Sequence, residues 1–376
     1  MIKVLNIVGA RPNFMKMAPI IAAMNKYPDK IEHLLIHTGQ HYDQKMSKAF
    51  FDDLGMPKPN IDLGIGSGSH AEQTARIMVE FEKVCLLENP DLVIVVGDIN
   101  STMACTITAK KLNIKVAHVE AGLRSRDMTM PEEINRLCTD VLCDYLFTTD
   151  HFANENLQAE GVSEEKVHFV GNVMIDSLRA HLQQAQELDT YVKMGLTQGN
   201  YATITIHRPS NVDDRVVLKG ILEALQEIAR DIPLIFPIHP RTRKMLQDFD
   251  MQNYVQPIEE AGEKPTTGLW STEPLGYLDF LNLNMNARFV LTDSGGLQEE
   301  TTVLGVPCVT IRYNTERPIT CEIGNNMVIG NRKEKILETV KKVMSGRHHK
   351  GTIPEKWDGK AAERIVEIIL RVFNEQ

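Results

Sequence analysis

The sequence predicts two α/β units, each wound on both faces of a parallel sheet, and three observations carry that expectation. Short β-branched runs alternate with amphipathic helical stretches, which is the pattern of βαβ units. The alternation stops at a long polar, Gln-rich segment from about Val173 to Leu188 and then starts again. The chain has 376 residues, enough for two domains at roughly 100–200 residues each.

In the first half the strand-like runs are Val4–Val8, followed by a helix from about Asn13, then Leu34–His37, then Leu92–Val96 with a helix from about Ser101. Val116–Val119, Tyr145–Thr148 and Val167–Val170 complete it. The second half reads Ala202–Ile206, a helix from about Arg215 to Arg230, Leu234–Pro237, a helix near Arg241, Phe289–Leu291, a helix after Gly296, and Cys308–Ile311. The stretch Gly359 to Phe373 places Ala362, Ile365, Ile369 and Val372 on one face, so it is a helix needing a surface to cover. We expect it to cross back to the first unit, which gives residues 1–172 with 357–376 as one domain and 173–356 as the other.

Composition narrows the class. Hydrophobic residues at 43% and charged residues at 24% are those of a globular protein. The net charge of −9 speaks against a nucleic-acid partner, which needs a basic surface. The N-terminus lacks the apolar region of a signal peptide, and no stretch approaches ~20 uninterrupted apolar residues, so no membrane span is expected and a cytoplasmic location is. None of the six cysteines forms a CxxC pair; reduced buried thiols and no metal site are the expectation.

Candidate chemistry collects at the carboxyl ends of strands, where open α/β sheets bind ligands. Gly9-Ala10-Arg11-Pro12 follows the first strand, Pro12 suits the first helical position, and Arg11 and Lys16 can meet a phosphate or carboxylate. Asp98 follows the next, just before a helix start, where plain N-capping explains it equally well. Glu120 ends a third, and packing does not account for it. Glu132 and Arg136 stand four apart at a helix start, where an ordinary ion pair accounts for them taken alone. Together Asp98, Glu120 and Glu132 bring three acids near one sheet edge, a common way to divide acid and base roles.

In the second half His207 and His239 each follow a strand. Asp293-Ser294-Gly295-Gly296 joins a strand to a helix whose free N–H groups suit a phosphate, and Glu300 lies about a turn further on, within reach of a ribose hydroxyl. Arg317 adds a cation near that edge.

With these residues in hand, the chain resembles the non-hydrolysing UDP-N-acetylglucosamine 2-epimerase family. The likeness runs from Gly9-Ala-Arg-Pro-Asn-Phe-Met-Lys-Met-Ala-Pro19 through His118-Val-Glu-Ala-Gly-Leu-Arg124, Pro131-Glu-Glu-Ile-Asn-Arg136 and Asp293-Ser-Gly-Gly-Leu-Gln-Glu-Glu300 to Thr315-Glu-Arg-Pro318. Many members carry Thr and Glu where Ala10 and Asn13 stand, and Arg-Arg-Glu-Asn where this chain has Arg208-Pro209-Ser210-Asn211.

The resemblance implies a GT-B-like fold of two Rossmann-like domains closing over a UDP-sugar, a homodimer, and no cofactor. It implies reversible conversion of UDP-N-acetylglucosamine to UDP-N-acetylmannosamine, a precursor for cell-surface polysaccharide, by anti elimination of UDP to a 2-acetamidoglucal and re-addition. Carried over by motif, Asp98, Glu120, Glu132 and His207 form the catalytic set, while Arg11, Lys16, Arg136, His239, Phe280, Ser294, Gly295, Gly296, Glu300 and Arg317 hold the substrate. Bacterial members can bind a second UDP-N-acetylglucosamine as activator near a Gln-His segment, and Gln40-His41 stands here. A GT-B glycosyltransferase and a hydrolysing 2-epimerase are the competing readings. The acid cluster speaks against the first, and free N-acetylmannosamine among the products would mark the second.

Overall fold

The structure, a computed structural model, describes residues 1–39, 57–258 and 265–375, and the side chain of Arg11 is not among what it describes. Gln40 and His41 lie outside the described residues. The chain divides into one compact unit of Met1–Ala180 with Glu355–Gln376 and a second of His181–Pro354.

In the first unit the strands are β1 (Ile2–Val8), β2 (Ile31–His37), β3 (Ile61–Asp62), β4 (Leu92–Val96), β5 (Lys115–Ala121), β6 (Tyr145–Thr148) and β7 (Val167–Phe169). They form one sheet in the order β3-β2-β1-β4-β5-β6-β7, with every neighbouring pair parallel. Strand β4, Leu-Val-Ile-Val-Val, is buried at every position, as a parallel strand covered on both faces must be. The winding reverses between β1 and β4, and that switch point is where such a sheet opens a ligand crevice beyond its carboxyl ends.

Helices α1 (Arg11–Met24), α2 (His70–Glu88), α3 (Asn100–Lys111), α4 (Pro131–Leu142), α5 (His151–Ala159) and α6 (Val173–Gln186) follow in chain order. Helix α1 begins at Arg11, earlier than the Asn13 expected, and Pro12 takes its second position. Asn13 is the reason: its Oδ1 accepts the Ala10 N–H at 3.1 Å, so a residue inside the first turn caps the helix. The same amide donates to Val96 O at 3.0 Å, which a glutamate at this position would not do. Helix α2 escaped the sequence reading although its start is signposted. Ser69 and Glu72 cap reciprocally, with Ser69 Oγ accepting Glu72 N–H at 3.3 Å and Glu72 Oε2 accepting Ser69 N–H at 3.2 Å.

In the second unit β8 (Ala202–Thr205), β9 (Leu234–Pro237), β10 (Gln256–Pro257), β11 (Leu269–Thr272), β12 (Phe289–Thr292), β13 (Cys308–Thr310) and β14 (Asn326–Val328) pair in parallel in the order β10-β11-β9-β8-β12-β13-β14. The reversal here falls between β8 and β12. Five helices matter to the site or its support: α7 (Arg215–Ile228), α8 (Pro240–Asp248), α9 (Tyr277–Asn286), α10 (Gly295–Leu304) and α11 (Lys333–Met344). The alternation of β-branched runs and helices therefore builds two doubly wound parallel sheets, as predicted.

The last helix, α12 (Ala361–Asn374), belongs to the first unit, also as predicted. Its buried face runs through Ala361, Ala362, Ile365, Val366, Ile369 and Leu370, while Val372 is only half-buried. Its start is held from α6, where the buried Asp176 accepts the Ala361 and Ala362 N–H groups at 3.1 and 2.7 Å. The fully buried Trp357 donates its indole N–H to Thr149 O at 3.0 Å. Among the described residues no helix is long and apolar enough to cross a membrane.

Candidate active site

At the carboxyl edge of the first sheet, Glu120 sits near the end of β5 with φ +69°, where the pairing of β5 with β6 shifts register between Val119 and Ala121. A non-glycine residue there carries strain on the order of 1–3 kcal/mol, so the surrounding structure must enforce it. The Glu120 side chain is 2% exposed, and its Oε2 lies 2.5 Å from Nζ of Lys16, which α1 supplies. The other oxygen, Oε1, is buried without a hydrogen-bond partner among the described residues. An acceptor left in that condition is uncommon in a packed interior and suits a group that must take a proton.

Asp98 leaves β4 through Gly97, which has φ +67°, and a Cβ on Gly97 would come within 3.1 Å of Lys16 Nζ. Asp98 does not cap α3, since Ile99 is the N-cap and no side chain bonds there. Instead Asp98 Oδ2 lies 2.5 Å from Arg136 Nη2, and Asn135 donates to Asp98 O at 2.9 Å. The i,i+4 pair of Glu132 with Arg136 does not form. Arg136 turns to Glu133 at 2.7 Å and to Asp98, leaving Glu132 half-buried on the same helix face as Asn135 and Arg136.

Glu133 also accepts the Ser125 and Arg126 N–H groups at 2.9 and 2.8 Å. Burial opposes its ionisation, but those donors together with Arg136 hold its carboxyl below the usual range. A second buried carboxylate, Asp140, stands behind the acids. His118, fully buried, places Nδ1 2.6 Å from Asp140 Oδ1 and Nε2 2.7 Å from Gly97 O. Asp140 Oδ2 meets Arg124 at 2.7 Å and the Gly122 N–H at 3.0 Å. The turns that follow β4 and β5 are thereby tied to one another.

The second sheet presents its own cluster. Asp293, fully buried at the end of β12, accepts the His207 and Arg208 N–H groups at 2.9 and 2.8 Å and the Asn211 amide at 3.1 Å. Its Oδ1 lies 2.9 Å from His207 Nδ1. Burial opposes the Asp293 charge, and the His207 ring with the backbone donors overcomes it, holding the carboxyl below the usual range. His239 caps α8, accepting Arg241 N–H at 3.2 Å, with its ring 5.3 Å from that of His207. Burial, and then the neighbouring His207, push the His239 ring below its ordinary value.

Ser294 is the N-cap of α10, and Gly295 and Gly296 open the helix, so unpaired N–H groups and the positive end of the dipole point off the sheet edge. A Cβ on Gly295 would lie 2.6 Å from Arg317 Nη1, so the guanidinium rests against the helix start only because Gly295 has no side chain. Glu300, one turn on, is buried and accepts the Tyr277 hydroxyl at 3.3 Å. Burial pushes its carboxyl up to about 7, a rise that Tyr277 tempers and Glu299 reinforces. Phe280, on α9, packs against the cluster of Val290, Leu297 and Val306 beside α10.

The structure thus brings Lys16, Asp98, Glu120, Glu132 and Arg136 together in one unit, and His207, His239, Phe280, Ser294, Gly295, Gly296, Glu300 and Arg317 in the other. Sequence reasoning did not single out Glu133, Asp140 or Asp293 as the groups that hold the rest. Among the described residues no group of three or more His, Cys, Asp or Glu could hold a metal ion.

These features define a two-unit, Rossmann-type α/β protein with a carboxylate cluster in one unit and, in the other, a glycine-rich helix start whose free N–H groups suit an anion. The family model described as UDP-N-acetylglucosamine 2-epimerase matches residues 23–370. The UDP-N-acetylglucosamine 2-epimerase of Methanocaldococcus jannaschii is 44% identical over 368 residues, covering 96% of this chain and 97% of that protein. The UDP-2,3-diacetamido-2,3-dideoxy-D-glucuronate 2-epimerase of Pseudomonas aeruginosa is 39% identical over 376 residues, 98% of this chain and 100% of that one. The crystal structure of the M. jannaschii enzyme in complex with UDP-GlcNAc and UDP matches with a TM-score of 0.88 at 43% identity, over 98% of this chain and 100% of that one. The chain belongs to the UDP-N-acetylglucosamine 2-epimerase family, an isomerase family.

Asp293 yields a pH test. Its folded-state value is depressed, so its contribution to stability is fully present above the unfolded carboxylate value of roughly 4 and is lost as pH falls through the folded value. Asp293→Asn should therefore be less stable than the parent at pH 7, with the gap in urea midpoint shrinking towards pH 3. A gap that stays constant across that range would contradict the assignment.

Proposed function

We propose that this chain catalyses reversible C2 epimerisation of UDP-N-acetylglucosamine to UDP-N-acetylmannosamine, by anti elimination of UDP and its re-addition to a 2-acetamidoglucal. The observation that carries the reading is the set of acids around one sheet edge, with Glu120 buried against Lys16 and one of its oxygens unpartnered. The C2–H of the sugar is not next to a carbonyl, so direct proton abstraction is too slow. The C1–O bond must break as the proton leaves, and the enzyme stabilises the charge that gathers on the departing diphosphate.

A base takes the C2 proton on one face and an acid returns one on the other, which requires at least two titratable groups. Asp98, Glu120 and Glu132 supply them. Arg317 and the α10 start receive the diphosphate, and Glu300 takes a ribose hydroxyl. Phe280 and His239 complete the hold on the nucleotide, and His207, oriented by Asp293, assists the diphosphate or relays the proton. The route consumes no redox equivalent. The product is a UDP-activated acetamido sugar, the form in which cell-surface polysaccharide assembly takes such a residue.

We take UDP-N-acetylglucosamine as substrate because the M. jannaschii relative named for it shares 44% identity across nearly the whole chain. Turnover of the diacetamido uronate of the P. aeruginosa relative instead would move the substrate and leave the reaction. We also propose a homodimer. Val79 and Leu86, seven apart on α2, are 55% and 68% exposed, and Ile134 and Val141, seven apart on α4, are 44% and 69% exposed. Helix α3 packs between α2 and α4, so these apolar residues lie on one helical layer, where a second copy would cover them.

The purified protein, without added NAD or divalent metal, should equilibrate the two UDP-sugars by NMR, and in D₂O it should place deuterium at C2 of both. Asp98→Asn, Glu120→Gln and Glu132→Gln should each lower turnover by ~10²-fold or more with a much smaller change in UDP affinity. Epimerisation without label at C2, or activity abolished by EDTA and restored by Mg²⁺, would contradict the mechanism. Free N-acetylmannosamine would instead mark the hydrolysing reaction. In sedimentation velocity the parent should run as a dimer and Leu86→Glu with Val141→Glu as a monomer; a dimeric double variant would rule out this face.

A further inference from the structure

Around Arg317 the second unit places more negative charge than an anion site calls for. Arg317 Nε lies 2.6 Å from Glu299 Oε1, and its Nη1 lies 3.7 Å from Glu316 Oε2. Glu316 is itself gripped by both ends of the Arg312 fork, at 2.8 Å for each oxygen. All four side chains are buried or nearly so, at 1% exposure for Glu299, 0% for Glu316, 6% for Arg312 and 10% for Arg317. The segment that carries Arg317 is fastened to α10 as well. Thr315 Oγ1 accepts the Arg317 N–H at 3.0 Å and donates to Gln298 Oε1 at 2.6 Å, and Gln298 also accepts the Asn326 amide at 3.0 Å.

Two physical roles for Glu299 predict opposite signs. As a plain counter-charge, it weakens the pull of Arg317 on any incoming anion, and its removal strengthens anion binding. As a clamp, it holds a long, rotamer-rich side chain in the orientation in which the guanidinium lies against Gly295 at the helix start, and its removal weakens binding. The arrangement favours the clamp. Glu316 is neutralised by the bidentate Arg312 before it reaches Arg317, so the second carboxylate contributes position with little net charge. The space for the guanidinium exists only because residue 295 is glycine.

We propose that Glu299, Glu316 and Arg312 are positioning residues for nucleotide binding: they lock Arg317 against the first turn of α10 so that it meets a diphosphate without having to be ordered first. This rests on the reading that Arg317 receives the diphosphate. None of the three needs to touch the ligand.

The test is UDP titration by calorimetry of the full-length protein at fixed ionic strength. Glu299→Gln removes a negative charge beside the anion site, yet should weaken UDP binding by about tenfold. In an Arg317→Met background the same change should shift affinity by less than about twofold, because no guanidinium is left to position. A merely structural role would weaken binding in both backgrounds. Glu316→Gln, acting across the longer contact, should weaken binding in the same direction by a smaller factor, and it reads the sign should Glu299→Gln not fold. Unchanged or tighter UDP binding in Glu299→Gln, with Arg317→Met clearly weakened, would overturn the positioning role alone. Unchanged binding in Arg317→Met would remove the reading beneath it, and the proposal with it.

Discussion

The pairing of Lys16 with Glu120 organises the first unit's chemistry. An ammonium and a carboxylate buried this deeply lose most of their hydration, and each is tolerable only because the other is 2.5 Å away. Lys16 reaches that position because α1 starts at the carboxyl end of β1, and Glu120 because β5 kinks into a positive φ beside it. The close approach of Gly97 to the Lys16 ammonium extends the constraint to the turn that delivers Asp98.

The same device recurs at three further candidate site residues. Asp98 is met by Arg136, His207 by Asp293 and Arg317 by Glu299. Each pair is backed by a further group deeper in the protein: Glu133 behind Arg136, the backbone donors of His207 and Arg208 on Asp293, and Arg312 with Glu316 beside Arg317. These side chains are therefore held in fixed orientations before any ligand arrives, the kind of preorganisation in which electrostatics gains its advantage over water. Glu132 differs from its neighbours. It stays half-buried on the α4 face that carries Asn135 and Arg136.

How much of this was legible depended on the kind of signal. The two sheets and the returning C-terminal helix follow from periodicity, because parallel strands buried on both faces must read as apolar runs and an amphipathic helix must find a surface. The loop residues at strand ends stood out for the same reason, as polar groups with no packing role. The supporting carboxylates did not. Glu133 and Glu132 are adjacent on one helix and indistinguishable by spacing, and only the fold shows that Glu133 turns inward to bind Ser125, Arg126 and Arg136. Glu299 and Glu300 pose the same problem on α10. Asp140 sits in an unremarkable amphipathic helix, and its partners His118 and Arg124 are far from it in sequence. Asp98 shows the converse limit, since an acid before a helix reads as a cap until tertiary structure assigns it another partner.

The central claim of the proposed mechanism is that the bond between C1 of the sugar and the diphosphate breaks and re-forms while UDP stays bound. Positional isotope exchange measures that bond directly. UDP-N-acetylglucosamine carrying oxygen-18 in the bridge between C1 and the β-phosphorus should, during turnover, show the label in non-bridging positions of the β-phosphate at a rate comparable with epimerisation. If the two epimers reach equilibrium with the label still wholly in the bridge, C1–O cleavage does not occur and the account fails.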